Sequence, residues 1–381
     1  MKIALYYPWI YLKSGVERTI LETVKRSKHK FTIFTNHYDS EGTFPEFKKL
    51  NIIELKKIPV RRNILSVLYG ALVIASQKIN LKGFDFFLIH SEGLGDLALV
   101  RNRSIATICF CHTPLRPVFD PIYKQLELKR RNLVNRIYYS FFSFLFVKLD
   151  RYLWSRYKHI FINSRESLKR AREGNLLLKH SSYSILNPGV DWENNKPGKE
   201  FKNYFLVPGR IMWTKNIELA IESFKIFEKK FKNKNIYKLV IAGQVDKKSM
   251  TFVRSLKKLV GANKNIIFIK NPTDQKMRQL YKKCYLTIVT SFNEDWGITP
   301  IEANSYGKPV LAMKMGGFKE SQKDKVTGYL IDNNANNFAE KMLYLVNNKD
   351  KNFQLGQSAR KHSQKYSWKK FIDQFDNTLK K

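Results

Sequence analysis

At 381 residues the chain is too long for one ordinary hydrophobic core and suits two domains. A hydrophobic fraction of 43% and an aromatic fraction of 14% exclude a disordered chain. Its 69 Lys and Arg against 32 Asp and Glu leave a formal charge of +37, which is either a field that draws in nucleic acid, anionic headgroups or anionic small substrates, or the solvated surface of a Lys-, Asn- and Ile-rich composition.

The N-terminal MKIALYYPWIYLK is interrupted by Pro8 and offers no small-residue cleavage site, so it reads as a first buried strand rather than an export signal. A glycine turn in SGVERTILE (14–22) leads into a helix predicted over 16–27. The apolar runs KFTIFTN, FDFFLIHS, IATICFCH and HIFINS follow, each closing on small or polar residues as buried parallel strands do. The uncharged stretches 63–77 and 137–147 fall short of the about 20 apolar residues that a spanning helix needs. No transmembrane helix is expected. Residues 129–158 mix Arg and Lys with aromatics in a long amphipathic helical pattern. That pattern suits an in-plane contact with an anionic membrane surface, or a helix whose aromatics fill a core.

The segment ILNPGVDWENNKPGKEF (185–201) breaks the pattern and marks an interdomain linker, with the boundary near Asn187. The second half repeats the theme with YFLVPG, KLVIAG, IIFIKN, LTIVTS and KPVLAM, separated by helical patterns at 217–232, 274–283 and 336–347. An alternating β-α order in both halves predicts an α/β protein with two doubly wound parallel sheets, whose ligands collect at the carboxyl ends of the strands. Cys109, Cys111 and Cys284 are too few for a disulfide framework and show no zinc-ligand pairing, which fits a reducing compartment.

The densest signal is SFNEDWGITPIEANSYGKPVLAMKMGGFKES (291–321), directly after a predicted strand. Thr299, Pro300 and Glu302 have the spacing of an N-cap, an N1 proline and an N3 glutamate, so a helix is predicted to start there with free N–H groups available to a phosphate. Glu294 stands eight positions before Glu302, with Gly297 between them and Gly316 and Gly317 beyond the next strand. Paired carboxylates suit vicinal hydroxyls of a ribose or a sugar, and glycines let backbone N–H groups approach a ligand closely. A capping box and an ordinary turn are the plainer readings of Glu302 and of the glycine pair.

These residues resemble the E-x7-E signature of glycosyltransferase family 4, a retaining family of GT-B architecture. VPGRIMWTKNIELAIESF (207–224) is similar to the family's G-R-x-x-x-x-K segment, and CFCHTPLRPVFD (109–120) to the H-T-P-x-R segment of a mannosyltransferase-like branch. SGVERTILE resembles the loop after the first strand, with Ser14 where a second glycine is usual. The resemblance spans nearly the whole chain, thinning between 40 and 105.

What the resemblance implies is specific. The fold would be two facing Rossmann-like domains with an interdomain cleft: 1–186 on the acceptor side, 187–365 binding the nucleotide sugar, and 366–381 as a helix crossing back to the first domain. Arg210 and Lys215 would bind the donor diphosphate, Glu302 the ribose and Glu294 the donor sugar; Gly15, Gly297, Ile298, Thr299, Gly316 and Gly317 would complete the donor site. His112 would act with Glu294 at the reaction centre, although a lone histidine after a strand is more often a core or surface residue than a catalytic one, and Arg116 would lie on the acceptor side. The enzyme implied is a hexosyltransferase moving mannose from GDP-mannose to a glycan or lipid-linked saccharide. With no D-x-D motif at a strand end, no metal or other cofactor is expected, and the protein is expected in the cytoplasm, where the 129–158 pattern would place it peripherally on the cytoplasmic face of the membrane. Two rivals remain: a basic nucleic-acid-binding protein, for which no recognition motif is evident, and a sugar phosphorylase or epimerase of the same architecture.

Overall fold

The computed structural model describes residues 1–60, 63–129, 131–198, 200–231, 237–246 and 249–380. The chain divides into a first unit, Met1–Pro188 with Phe371–Lys381, and a second unit, Gly189–Lys370.

The first unit runs β1 (Lys2–Tyr6), β2 (Trp9–Ile10), α1 (Gly15–Arg26), β3 (Lys30–Thr35), β4 (His37–Tyr38), β5 (Ile52–Glu54), α2 (Ile64–Ser76), β6 (Phe86–Ser91), β7 (Thr107–Cys111), α3 (Arg116–Phe119), α4 (Pro121–Lys129), α5 (Leu133–Trp154), β8 (His159–Ile162), α6 (Arg165–Glu173) and β9 (Tyr183–Ile185). Among the described residues its main sheet has the order β5-β3-β1-β6-β7-β8-β9, every neighbour parallel. Strands from β1 grow outward in both directions, so the topological switch point lies between β1 and β6. Buried Tyr6, Phe87, Ile89, Cys109, Leu153 and Trp154 join strands and α5 into one core.

The second unit runs β10 (Tyr204–Pro208), α7 (Ile217–Lys230), β11 (Lys238–Gly243), α8 (Met250–Val260), β12 (Ile266–Lys270), α9 (Asp274–Lys283), β13 (Leu286–Val289), α10 (Ile298–Ser305), β14 (Val310–Met313), α11 (Phe318–Ser321), β15 (Gly328–Ile331), α12 (Ala335–Asn347) and α13 (Lys349–Ser363). Its sheet, order β12-β11-β10-β13-β14-β15, is again parallel among the described residues, with the switch point between β10 and β13. Strands buried on both faces explain why the sequence shows continuous apolar runs rather than alternation.

The last helix, α14 (Trp368–Thr378), begins in the second unit and continues in the first. There Phe371 lies 5.8 Å from the Phe110 ring and Phe375 5.2 Å from Phe161, and Asp376 accepts a 2.6 Å hydrogen bond from Ser27. Lys381 lies outside the described residues, as do residue 232 of the predicted 217–232 helix and Arg130.

Two sequence expectations are corrected. The 129–158 stretch is not one helix: α4 ends at Lys129, and α5 begins at Leu133 because Asn132 caps it through Asn135 N–H. The helix after β13 starts at Ile298 rather than beyond Thr299. Gly297, at φ +75°, takes the cap position in a left-handed conformation, and no side chain caps the end. Pro300 therefore sits third in the helix, still within the first turn, where an N–H lacks an intrahelical acceptor anyway.

Candidate active site

In the second unit the loops leaving β10 and β13, the two strands at the switch point, are stitched together. Thr290 Oγ1 donates to the Lys215 carbonyl at 2.9 Å, and Phe292 N–H donates to the Thr214 carbonyl at 2.9 Å. The pocket that results is lined by Val207 to Arg210, Lys215, Ile217, Ile288 to Ser291, Thr299 and Phe318. It lies where an open α/β sheet binds ligands.

Backbone freedom shapes this pocket at two glycines. Gly209 turns out of β10 at φ +122°, a region closed to other residues, and Gly297 is packed so that a Cβ would stand 2.6 Å from the Phe318 ring. Beyond that turn the N–H groups of α10 open the helix without a side-chain cap, and Thr299 of this first turn lines the pocket.

The charges are arranged unequally. Lys215 Nζ lies 2.9 and 3.2 Å from the two carboxylate oxygens of Glu294, both side chains about a fifth exposed. Arg210 lines the same pocket and has no side-chain partner among the described residues. One compensated cation, one cation without a side-chain partner among the described residues and a helix start thus share one pocket, a combination chemically suited to a multiply charged anion.

Of the residues singled out in the sequence, the structure brings Arg210, Lys215, Glu294, Gly297, Ile298 and Thr299 together here. Glu302 lies further along α10, and its Oε2 accepts the Tyr281 hydroxyl at 2.9 Å, so it does not complete a capping box. Gly316, at φ +56°, would place a Cβ 2.6 Å from the Glu294 carbonyl oxygen, and Gly317 N–H donates to that carbonyl at 2.6 Å. The pair is used to seat the loop carrying Glu294, and the Gly317 N–H is already engaged. Sequence reading missed Thr290 and Ser291; their signal was two small hydroxyl residues at the carboxyl end of an apolar strand.

Gly15, His112 and Arg116 belong to the first unit. Gly15 opens α1 after the Ser14 cap, is exposed, and has nothing within 4 Å of where a Cβ would sit, so no packing constraint demands glycine. His112 follows β7 and is 5% exposed; its Nε2 lies 2.9 Å from Nδ1 of His90, and burial pushes its pKa down to about 3. Arg116 is paired with fully buried Asp120 at 3.1 Å, and Asp120 also holds Arg170 at 3.2 Å. Arg170 in turn donates to Thr113 Oγ1 at 2.6 Å, so the whole 112–120 segment is tied to one buried carboxylate. Asp120 and Arg170 were also missed, because the ion pair between them joins residues distant in sequence.

On α5 the two readings of the aromatic stretch divide along the helix. Trp154 and the following Tyr157 are core residues, whereas Leu133, Val134, Ile137, Tyr138, Phe141 and Phe144 are each more than half exposed. Among the described residues no helix is long and apolar enough to cross a membrane.

Residues 191–362, nearly all of the second unit, match the family model described as "Glycosyl transferases group 1". An uncharacterized glycosyltransferase of Methanocaldococcus jannaschii is 27% identical over 97% of this chain and 94% of its own length. The alpha-1,3/1,6-mannosyltransferase ALG2 of Dictyostelium discoideum is 23% identical over 100% of this chain and 98% of its own. Among solved structures, Anabaena HepE in complex with UDP and glucose has a TM-score of 0.76 at 14% identity, covering 100% of this chain and 99% of that one. On that family match and that likeness of fold, the chain is a glycosyltransferase enzyme of GT-B architecture.

Proposed function

We propose that this glycosyltransferase moves a hexose from a nucleotide diphosphate donor, mannose from GDP-mannose, onto a glycan or lipid-linked saccharide with retention of anomeric configuration. The observation that carries the reading is the meeting of Arg210, the Lys215–Glu294 pair and the uncapped start of α10 at the switch point of the second sheet. Fixed cations and N–H groups at that point stabilise the charge that grows on a departing diphosphate. Lys215 and Arg210 hold the diphosphate, Glu294 the sugar hydroxyls and Glu302 the ribose; His112 addresses the donor sugar. The leaving phosphate deprotonates the acceptor hydroxyl on the same face, with no metal and no enzymic nucleophile. Mannose is supported by the H-T-P-L-R segment at 112–116 and by the whole-length similarity to the mannosyltransferase of Dictyostelium.

The acceptor side is read from α5. Its exposed Leu, Ile, Phe and Tyr, interleaved with Arg136, Lys148 and Arg151, form an apolar and cationic face of the kind that lies in an anionic lipid interface. The protein then works peripherally, at the cytoplasmic face.

Incubating the full chain with radiolabelled GDP-mannose, UDP-glucose and UDP-galactose and a panel of lipid-linked saccharides tests the donor and acceptor together, with and without a chelator. Transfer from GDP-mannose that survives chelation, with an α-linked product, is expected; an inverted linkage or exclusive use of a uridine donor sinks the corresponding part. Flotation with anionic and neutral vesicles tests the membrane reading, which fails if binding is absent from both or is unchanged by Ile137→Glu with Phe141→Glu.

A further inference from the structure

Two histidines that close neighbouring strands meet in the first unit. His90 ends the apolar run of β6, one residue before its last position, and is fully buried, its ring stacked on Phe110 with centroids 5.1 Å apart and planes 10° from parallel. Phe110 is in turn packed against Phe371 of the C-terminal segment, centroids 5.8 Å apart and planes tilted by 50°, so the His90 ring has little freedom to turn. Its Nδ1 lies 2.9 Å from Nε2 of His112, and its other nitrogen, Nε2, is sealed from solvent with no partner among the described residues. His112 Nδ1 is differently placed: it is not among the sealed orphan atoms.

A 2.9 Å contact between two ring nitrogens holds one proton, and two arrangements supply it. If His112 donated, His90 would have to carry its own proton on Nε2, leaving a buried N–H with no acceptor. If His90 donates, the orphan on His90 is a bare lone pair. Orphaned buried N–H groups are the rarer and costlier of the two. Protonating both rings would set two cations against each other in a site with no carboxylate contact among the described residues, and burial holds both histidines neutral.

We propose that His90 is a positioning residue that donates from Nδ1 to His112 Nε2, locking His112 in the Nδ1–H tautomer so that it presents a hydrogen-bond donor rather than a base. This rests on the reading that His112 addresses the donor sugar. With its proton fixed on Nδ1, His112 suits holding a sugar hydroxyl oxygen and is unsuited to taking the acceptor's proton, a task left to the departing phosphate.

The test is the imidazole nitrogen spectrum of the uniformly 15N-labelled full chain at neutral pH, with peaks assigned through His90→Phe and His112→Phe. The expected pattern is a pyrrole-type Nδ1 and a pyridine-type Nε2 for His112; the reverse assignment overturns the proposal whatever the activity does. His90→Phe keeps the ring stack and removes the donor. It should release His112 to the Nε2–H tautomer and lower kcat about tenfold with KM for the donor little changed. His90→Asn, whose Nδ2 replaces the donor, should restore both the tautomer and most of kcat. If His90→Phe leaves the His112 spectrum unaltered, the positioning role is refuted. If instead His112→Ala transfers sugar as the wild type does, the assignment of His112 to the sugar fails while the tautomer result stands, so the two ideas are separable. Should His90→Phe not fold, the wild-type spectrum and His90→Asn decide.

Discussion

Two side chains of like charge in one pocket have different work to do. Lys215 is already paired with Glu294, whereas Arg210 meets no carboxylate among the described residues, and under the proposed function it receives phosphate. Arg210→Ala is therefore expected to lower kcat/KM on the order of 10²- to 10³-fold while leaving the melting curve nearly unchanged. Glu294→Ala should lose transfer to a similar degree. Wild-type turnover by either, in a steady-state assay with the donor varied, would remove the site assignment. Asp120 stands at the opposite extreme, a buried carboxylate with two arginines on it. Replacing it by Ala leaves Arg170, which is 2% exposed, without its nearest counter-charge, and should cost about 3–5 kcal/mol in urea unfolding. A loss below about 1 kcal/mol would mean that Glu166, 3.8 Å from Arg170, takes over.

Regular elements were easiest to read where nothing tertiary intrudes. The helix predicted at 274–283 is found at those residues because Thr273 caps it locally and leucine and tyrosine spacing faces it inward. The start of α10 was misread because Thr-Pro-Ile-Glu carries the letters of a capping box while the geometry is set two residues earlier by Gly297. Its positive φ turns the chain, and the Phe318 ring, from a different element, leaves room for hydrogen alone. Gly297→Ala should thus destabilise by about 1–3 kcal/mol and weaken donor binding together, since one backbone position sets both the packing and the direction of the helix start. Calorimetry of nucleoside diphosphate binding alongside a thermal melt checks this; an unshifted melt with full binding would contradict it. The α5 stretch was legible as amphipathic, but not which of its aromatics were spare. Partners from β6, β7 and the 94–100 turn decide that Trp154 and Tyr157 are core, and those contacts have no local signature.

Taken whole, the chain builds two parallel sheets and threads its end back through the first unit, which is therefore made of two separate stretches. Burying neutral histidines in that unit has a cost that depends on pH. His90 and His112 have folded pKa values below the ordinary histidine range, the latter at about 3. The unfolded chain therefore takes up their protons first, as pH falls through about 6.5. Their stabilising effect is complete above that value and is lost progressively as pH falls towards about 3, with a slope of up to about 1.4 kcal/mol per pH unit for each proton. Denaturant unfolding at pH 7 and pH 4.5 should show this loss, and His112→Phe should lessen it. Equal slopes for wild type and variant would exclude His112 as a source.

Composition and periodicity by themselves determined the class of fold, the alternation of the central strands with helices and the strand ends at which the pocket forms, because burial on both faces of a parallel sheet writes continuous apolar runs into the chain. The resemblance of the local motifs also singled out Arg210, Lys215 and Glu294, and the structure sets Arg210 and Lys215 in one pocket with Glu294 on Lys215. Only the tertiary structure decided that Lys215 is neutralised by Glu294, that the 316–317 glycines serve to seat a loop, that Asp120 anchors two arginines and that His90 faces His112. All but the Arg116–Asp120 pair join residues that are distant in sequence, and the energy that fixes them comes from removing water around a particular pair, which only the packed fold brings about.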